Sequence, residues 1–351
     1  MKVMLTGGVG FIGLHLAQLL TRQGHEVVAL DNLSPQVHRE PAGARLRFPG
    51  LVVAGDVRDV TAAQLAMRGC DAVVHLAAET GVAQSMDEPD RYHDVNVRGT
   101  EVVAAEAARL RVPLVFMSSR AVYGEGAYRC ETHGRVTGGR CCRSALPDAS
   151  REDDAHTFVS VYGQSKSEGE QVARGLRPVD RSWAIVRPQN VVGPGQAPQN
   201  PYTGVLAAFA ARLRAGKAPQ VYGTGHQTRD FIDVRELTQQ LGQLVMMVKS
   251  RGTAEMICVN SGTAVRTSLA DLAQIAVEAS LCSVAVETVD RTRPGDIEHA
   301  CADITASRRL GLHDPLVPLS ASVRDFLEYA WSQPAVDPGL WDEVARSSTL
   351  E

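Results

Sequence analysis

Short apolar runs alternate with amphipathic stretches through the first half of the chain. Residues 2–5 form an apolar run, and a glycine-rich turn follows in Leu5-Thr6-Gly7-Gly8-Val9-Gly10-Phe11-Ile12-Gly13. Leu14-His15-Leu16-Ala17-Gln18-Leu19-Leu20 then carries apolar residues at helical spacing. Further strand-like runs are Glu26-Val27-Val28-Ala29-Leu30, ending at Asp31, and Leu51-Val52-Val53-Ala54-Gly55-Asp56-Val57. Ala72-Val73-Val74-His75-Leu76-Ala77-Ala78 and Leu114-Val115-Phe116-Met117 continue the series. Strands that alternate with helices in this way predict an α/β fold with a doubly wound parallel sheet.

The first turn has the chemistry of a phosphate cradle. Gly7 permits a tight turn, Gly10 lets the backbone approach a pyrophosphate, and Gly13 lets helix and strand pack closely. Phe11 and Ile12 open the helix, whose free N–H groups and partial positive charge face the phosphates. The motif follows a strand and opens a helix, which is the context it requires. Asp31 lies about twenty residues further on, where a carboxylate binds ribose hydroxyls and repels a 2′-phosphate. The sheet is therefore expected to be Rossmann-type and the cofactor NAD rather than NADP. Asn32 stands beside Asp31. Asp56 and Val57 are placed near the adenine, and Leu76, Ala77 and Ala78 let the backbone reach the nicotinamide side. His75 reads as a packed core histidine.

Composition narrows the class. The 351 residues are 44% hydrophobic and 22% charged, enough for a substantial core in two lobes. A net charge of −4 without a basic stripe argues against nucleic acid. There is no apolar stretch of membrane-spanning length and no leader-like start, so a cytoplasmic protein without membrane attachment is expected. Seven cysteines, an odd number, fit reduced thiols better than a disulfide framework. Residues 125–154 interrupt the pattern as a polar insertion rich in Gly, Arg and Ser, without clear periodicity. Within it, Cys130-Glu131-Thr132-His133 and Cys141-Cys142 offer zinc-type donors. Adjacent cysteines make a poor second ligand pair, so the insertion is expected to be a surface segment without metal.

Tyr162-Gly163-Gln164-Ser165-Lys166 places a phenol and an ammonium one helical turn apart on one face. Taken with the glycine turn, Asp31, Asp56 and Ser119, the chain resembles the extended short-chain dehydrogenase/reductase superfamily. More narrowly it is similar to the NAD-dependent nucleotide-sugar epimerases and dehydratases, over residues 3–329. That resemblance implies Tyr162 as catalytic acid/base and Lys166 as the cation that lowers its pKa and binds the nicotinamide ribose. Ser119 would be the third catalytic group and would hydrogen-bond the reacting sugar oxygen. Asn96 and Pro188 would join the cofactor set. The family's 4,6-dehydratases carry Asp-Glu directly after the catalytic Ser/Thr, and its decarboxylases keep the Glu. Arg120 and Ala121 stand there instead and cannot do carboxylate work. The resemblance thus points to epimerisation at C4 through a transient 4-keto sugar.

It also implies the substrate side. Asn190, in Arg187-Pro188-Gln189-Asn190, would contact the diphosphate of a dTDP- or UDP-linked sugar, and Tyr222 the base. Arg229 and Arg293 would clamp the diphosphate, a task suited to a planar, bidentate fork; Arg120 joins this set. Gln199-Asn200-Pro201-Tyr202-Thr203-Gly204, the Ser119–Gly126 stretch and the cysteine-bearing insertion resemble a subgroup of bacterial dTDP-sugar epimerases, including those acting at C4 of dTDP-L-rhamnose. The UDP-glucose 4-epimerases are also similar. The expected organisation is a Rossmann domain over residues 1–186, a nucleotide-sugar lobe over 187–330 and a loosely structured tail over 331–351. Relatives dimerise through the Tyr–Lys helix and a neighbour, here roughly residues 97–110, so a homodimer is expected. The competing readings are a dehydratase with rewired acid/base groups, a 4-ketoreductase using NAD(P)H, and last a non-catalytic NAD-binding regulator.

Overall fold

The computed structural model describes residues 1–202, 204–250, 254–291 and 295–341; Arg293 lies outside them. The first-half runs form β1 (Lys2–Thr6), β2 (Glu26–Asp31), β3 (Leu51–Ala54), β4 (Ala72–His75) and β5 (Leu114–Met117). The insertion contains β6 (Ala127–Cys130), β7 (Gly134–Thr137) and β8 (Leu146–Asp148). Then come β9 (Trp183–Pro188), β10 (Asn190–Val192), β11 (Gln220–Tyr222), β12 (Thr228–Arg229), β13 (Phe231–Asp233), β14 (Met256–Ser261), β15 (Thr267–Ser268) and β16 (Glu287–Val289). The central sheet has seven strands in the order β14-β9-β5-β4-β1-β2-β3, and every pairing in it is parallel.

Both faces of this sheet are covered, which is why its strands read as continuous apolar runs. Val3, Leu5, Val27, Ala29, Val74, Val115 and Val186 face one core cluster. Their neighbours Met4, Val28, Leu30, Val73, Leu114, Phe116 and Ile185 face the other. Strand order reverses beside β1, so the carboxyl ends of β1 and β4 open a crevice there, where open α/β sheets bind ligands. Thr6 stitches that edge: its hydroxyl accepts the N–H groups of Leu76 and Ala77, each at 3.1 Å.

The expected lobe boundary at residue 187 is crossed twice. The helix Val234–Ser250 buries Leu237, Leu241, Leu244, Val245 and Val248 against the first core cluster. β14 then pairs with β9 at the edge of the central sheet. The apolar face of that helix fits the sheet's open flank, so the chain returns to the first lobe before completing the second. The second lobe packs β10, β11 and β13 with the helices Val205–Arg214, Leu269–Ser280 and Leu319–Ser332 around Phe209, Leu272 and Phe326. The tail beyond residue 331 is not loose as far as it is described: Trp341 is buried in that same cluster.

The insertion is folded as well. β6 pairs antiparallel with β7 and β8. Arg135 fastens this small sheet through Asp148 at 3.1 Å and Asp154 at 2.5 Å.

Candidate active site

A single cavity of about 640 Å³ runs from the glycine turn across the carboxyl ends of the sheet into the second lobe. Its wall includes Gly7, Gly10, Phe11, Ile12, Gly13, Asp31, Asn32, Asp56, Val57, Leu76, Ala77 and Ala78 from the expected cofactor set. From the expected chemical and substrate sets it includes Ser119, Arg120, Tyr162, Asn190, Tyr222 and Arg229. Asn96, Lys166 and Pro188 stand behind this wall, all buried.

The dinucleotide end fits NAD. Gly7 has φ +62°, and a Cβ there would come within 3.0 Å of Ala77. A Cβ on Gly13 would lie 2.4 Å from the Gly7 carbonyl oxygen, so helix and turn touch where only glycine fits. The helix Phe11–Arg22 has neither a side-chain cap nor an acidic residue in its first turn, so its leading N–H groups remain suited to phosphate. Asp31 is held by the N–H groups of Val9 at 3.0 Å and Leu33 at 2.9 Å. Each carboxylate oxygen thereby keeps a lone pair for a ribose hydroxyl. Asp56 is paired with Arg58 at 2.7 Å, and chiefly that hydrogen bonding holds its carboxyl below the usual range.

Asn96 works one layer back. Its Oδ1 accepts the Glu79 N–H at 2.8 Å, and its Nδ2 donates to the Glu79 carbonyl at 3.1 Å and to Ser165 Oγ at 2.9 Å. It positions the loop after β4 instead of lining the cavity. His75 is buried between Thr6 and Thr100, at 2.6 and 3.0 Å. Burial first, then the charge of Lys166, lowers its pKa to about 3, so the imidazole is a neutral core group.

The central site brings two helix caps together. Ser160 caps the helix Val161–Leu176 by accepting the Gly163 N–H at 3.1 Å, which sets Tyr162 in its first turn. Ser119 follows β5 and accepts the Ala121 N–H at 3.1 Å. Burial raises the pKa of the Tyr162 phenol, while a hydrogen bond with Ser119 and the charge of Arg120 oppose the rise. Lys166 stands one turn further along the same helix and is buried. Its ammonium lies 5.0 Å from the Phe116 ring centroid. Burial lowers its pKa to about 8, against a smaller upward pull from Glu170. Arg120, half-buried, is a cation acting on the phenol, and its own pKa is lowered to about 10 by burial and then by Arg229.

Behind this site sits a closed polar network. Arg187 donates to Glu170 through Nε at 2.8 Å and Nη2 at 2.7 Å, and Ser118 Oγ donates to Glu170 at 2.6 Å. Arg187 also reaches Tyr123 Oη at 2.7 Å, which donates to Asn260 at 2.7 Å. The network ties the helix of Tyr162 to β9, β14 and the end of β5.

In the second lobe Arg229 is 7% exposed and its Nη hydrogens go to protein oxygens. They reach Asp296 at 2.5 Å and the carbonyls of Thr228, Ile297 and Glu298 at 2.9, 2.8 and 3.2 Å. Binding a diphosphate would require exchange of the Asp296 contact. Tyr222 lies under the Arg291 guanidinium, 6.0 Å from its ring centroid. Among the cavity residues outside the sequence reading, two carry polar atoms of interest. Gln189 Oε1 and Trp341 Nε1 are buried without a hydrogen-bond partner among the described residues, so each is a polar atom a ligand can satisfy. Gln189 sits inside the Arg187-Pro188-Gln189-Asn190 motif and was findable by its position; Trp341 carried no local signal.

Comparison with known proteins agrees with this arrangement. The chain is 32% identical to the dTDP-L-rhamnose 4-epimerase of Burkholderia thailandensis over 325 residues, covering 87% of this chain and 88% of that protein. The UDP-glucose 4-epimerase of Thermus thermophilus in complex with NAD superposes with a TM-score of 0.75 at 26% identity, covering 95% of this chain and all of that one. An NAD-dependent NDP-hexosamine 5,6-dehydratase involved in tunicamycin biosynthesis also superposes with a TM-score of 0.75, at 27% identity, over 95% of this chain and 99% of its own. The profile of the NAD dependent epimerase/dehydratase family matches residues 3–257. A Rossmann cradle that fits NAD, a Ser–Tyr pair on the same cavity wall and this match together place the chain in the NAD-dependent epimerase/dehydratase family, with NAD as its cofactor.

Proposed function

We propose that this protein interconverts C4 epimers of a dTDP- or UDP-linked sugar through a transient 4-keto intermediate. One observation carries the reading. On the cavity wall that holds Tyr162, Ser119 is followed by Arg120 and Ala121, so neither of those positions offers a carboxylate. Elimination of water needs an additional acid and base, whereas oxidation and re-reduction at C4 need one proton carrier. The B. thailandensis relative supports a dTDP-sugar, and the T. thermophilus one a UDP-sugar.

Bound NAD supplies the hydride acceptor and donor. This chain's residues manage the proton and the sugar. Tyr162, as phenolate, takes the C4 hydroxyl proton, holds it as the phenol while the sugar is a ketone and then returns it; Arg120 and Ser119 favour the phenolate that begins and ends the cycle. Their opposition to the effect of burial is what makes a phenol usable near neutral pH. Asn190, Tyr222 and Arg229 hold the nucleotide diphosphate at the far end of the cavity, and Gln189 can donate or accept at the sugar. Ala121 lines the wall beside Ser119, leaving space in which a keto sugar can turn.

The protein is proposed to act in the cytoplasm as a homodimer. The helices Gly99–Leu110 and Val161–Leu176 pack side by side, with Val102 and Val172 only partly buried. No helix of the described residues is long and apolar enough to cross a membrane.

Incubation with dTDP- and UDP-sugars, without added cofactor, tests the reaction type. A product of unchanged mass, with inverted C4 by NMR, supports epimerisation. Loss of water shifts the assignment to the dehydratase reading, for which the 5,6-dehydratase among the structural relatives is the precedent.

A further inference from the structure

We propose that Cys130, His133, Cys141 and Cys142 form a structural zinc site that pins the insertion to the body of the protein. The four residues come from two short segments. Cys130 ends β6 and His133 closes the turn into β7, where Cys130 pairs with Gly134. A Cys-x-x-His turn of this kind presents both donors on one side. Cys141 and Cys142 lie on the connection from β7 to β8, which bends back over that turn.

Their ligand atoms all lie within 4.8 Å of one another. Cys130 Sγ is 3.4 Å from Cys142 Sγ and 3.5 Å from His133 Nδ1. The two sulfurs of Cys141 and Cys142 are 3.8 Å apart. A tetrahedral ion with Zn–S of about 2.3 Å and Zn–N of about 2.0 Å has S–S edges of about 3.8 Å and S–N edges of about 3.5 Å. The three separations lie within about 0.4 Å of those edges, and the remaining pairs are no further apart than 4.8 Å. The bend in the chain thus brings an adjacent pair of cysteines, a poor ligand pair by sequence, to the spacing a metal needs. The same cysteines are unbonded thiols.

Three thiolates and one imidazole are a borderline-soft, tetrahedral donor set, which selects zinc among the available divalent ions. Four protein ligands close the shell, so the ion is structural and has no position for substrate. None of the four residues lines the large cavity.

The packing independently calls for such a staple. The apolar core of the three-stranded insertion consists of Tyr128, Cys130 and Ala145, with Val136 and Cys142 packed against it. A core of that size cannot offset the ordering of its own chain. The module docks through Arg140, ion-paired with Glu298 at 2.9 Å and lying over the Tyr128 ring at 5.5 Å. Glu125 accepts the Glu298 N–H at 3.1 Å. The Glu298 carbonyl in turn accepts from Arg229, so the metal braces the segment that holds this arginine.

The test uses the full chain, purified from zinc-supplemented medium in reductant and dialysed against a weak chelator. Elemental analysis should find about one zinc per chain, falling below about a tenth in Cys130→Ser and Cys142→Ser and unchanged in Cys70→Ser. Cobalt exchanged into the wild-type chain should show the thiolate charge-transfer and visible bands of a tetrahedral site with three sulfur ligands and one nitrogen. This spectrum does not depend on any variant folding. The proposal is overturned if the reduced wild-type chain takes up neither zinc nor cobalt, if the Cys130→Ser/Cys142→Ser double variant keeps its zinc, or if Cys130 and Cys142 are found as a disulfide in reductant.

Discussion

Glu170→Gln should destabilise the protein strongly at neutral pH and weakly in acid. Glu170 and Arg187 are 1% and 2% exposed and joined by two hydrogen bonds. Removing the carboxylate leaves the guanidinium buried with its main countercharge gone, a loss of about 3–5 kcal/mol. Unfolding entropy of about 2.1 cal/mol/K per residue gives about 0.7 kcal/mol/K for the 351 residues, so the midpoint should fall by about 4–7 °C. Burial pushes the Glu170 carboxyl up, but Arg187, Ser118 and His156 more than offset this, so its folded pKa lies below the ordinary value. Its contribution is therefore fully present above the unfolded pKa, about 4.3, and is lost as pH falls through the folded pKa. Calorimetry across pH 7 to pH 3.5 reads both effects. A variant melting within 1 °C of wild type at pH 7, or a gap that widens on acidification, would refute the reasoning.

Other expectations concern the site directly. Tyr162→Phe should fold and bind NAD yet lose turnover by at least about a hundredfold, the lower end of general acid–base contributions; wild-type rates would remove Tyr162 from its assigned role. Arg120→Met takes away a cation acting on the phenol, so the ascending limb of the pH–rate profile should move to higher pH; an unmoved limb would show that another group supplies the charge. Gly13→Ala places a methyl 2.4 Å from the Gly7 oxygen and should cost about 1–3 kcal/mol of stability while weakening NAD affinity, both measurable by thermal shift with and without cofactor.

Local chemistry explains what the sequence made legible. The glycine turn, Asp31 and the apolar runs of β1 to β5 each depend on neighbours within a few residues, and the structure gathers them on one crevice. Long-range choices were hidden. Nothing in the apolar pattern of the helix Val234–Ser250 or of β14 says that they rejoin the first sheet, because either lobe could bury such faces. The strands of the insertion are three or four residues long, too short to show a period of two. The spacing of Tyr162 and Lys166 fixes their shared helix face but not the direction of the lysine chain, whose ammonium lies over the Phe116 ring. Trp341 joins the cavity wall only because the tail folds back onto the second lobe.

The fate of the hydrogen on C4 is the most direct measurement. A dTDP- or UDP-sugar deuterated at C4 should give its epimer with the label still on C4 and no loss of mass, because hydride leaves and returns within one site. Loss of the label to solvent, transfer to another carbon, or a product lighter by one water would contradict epimerisation by this Tyr162-centred site.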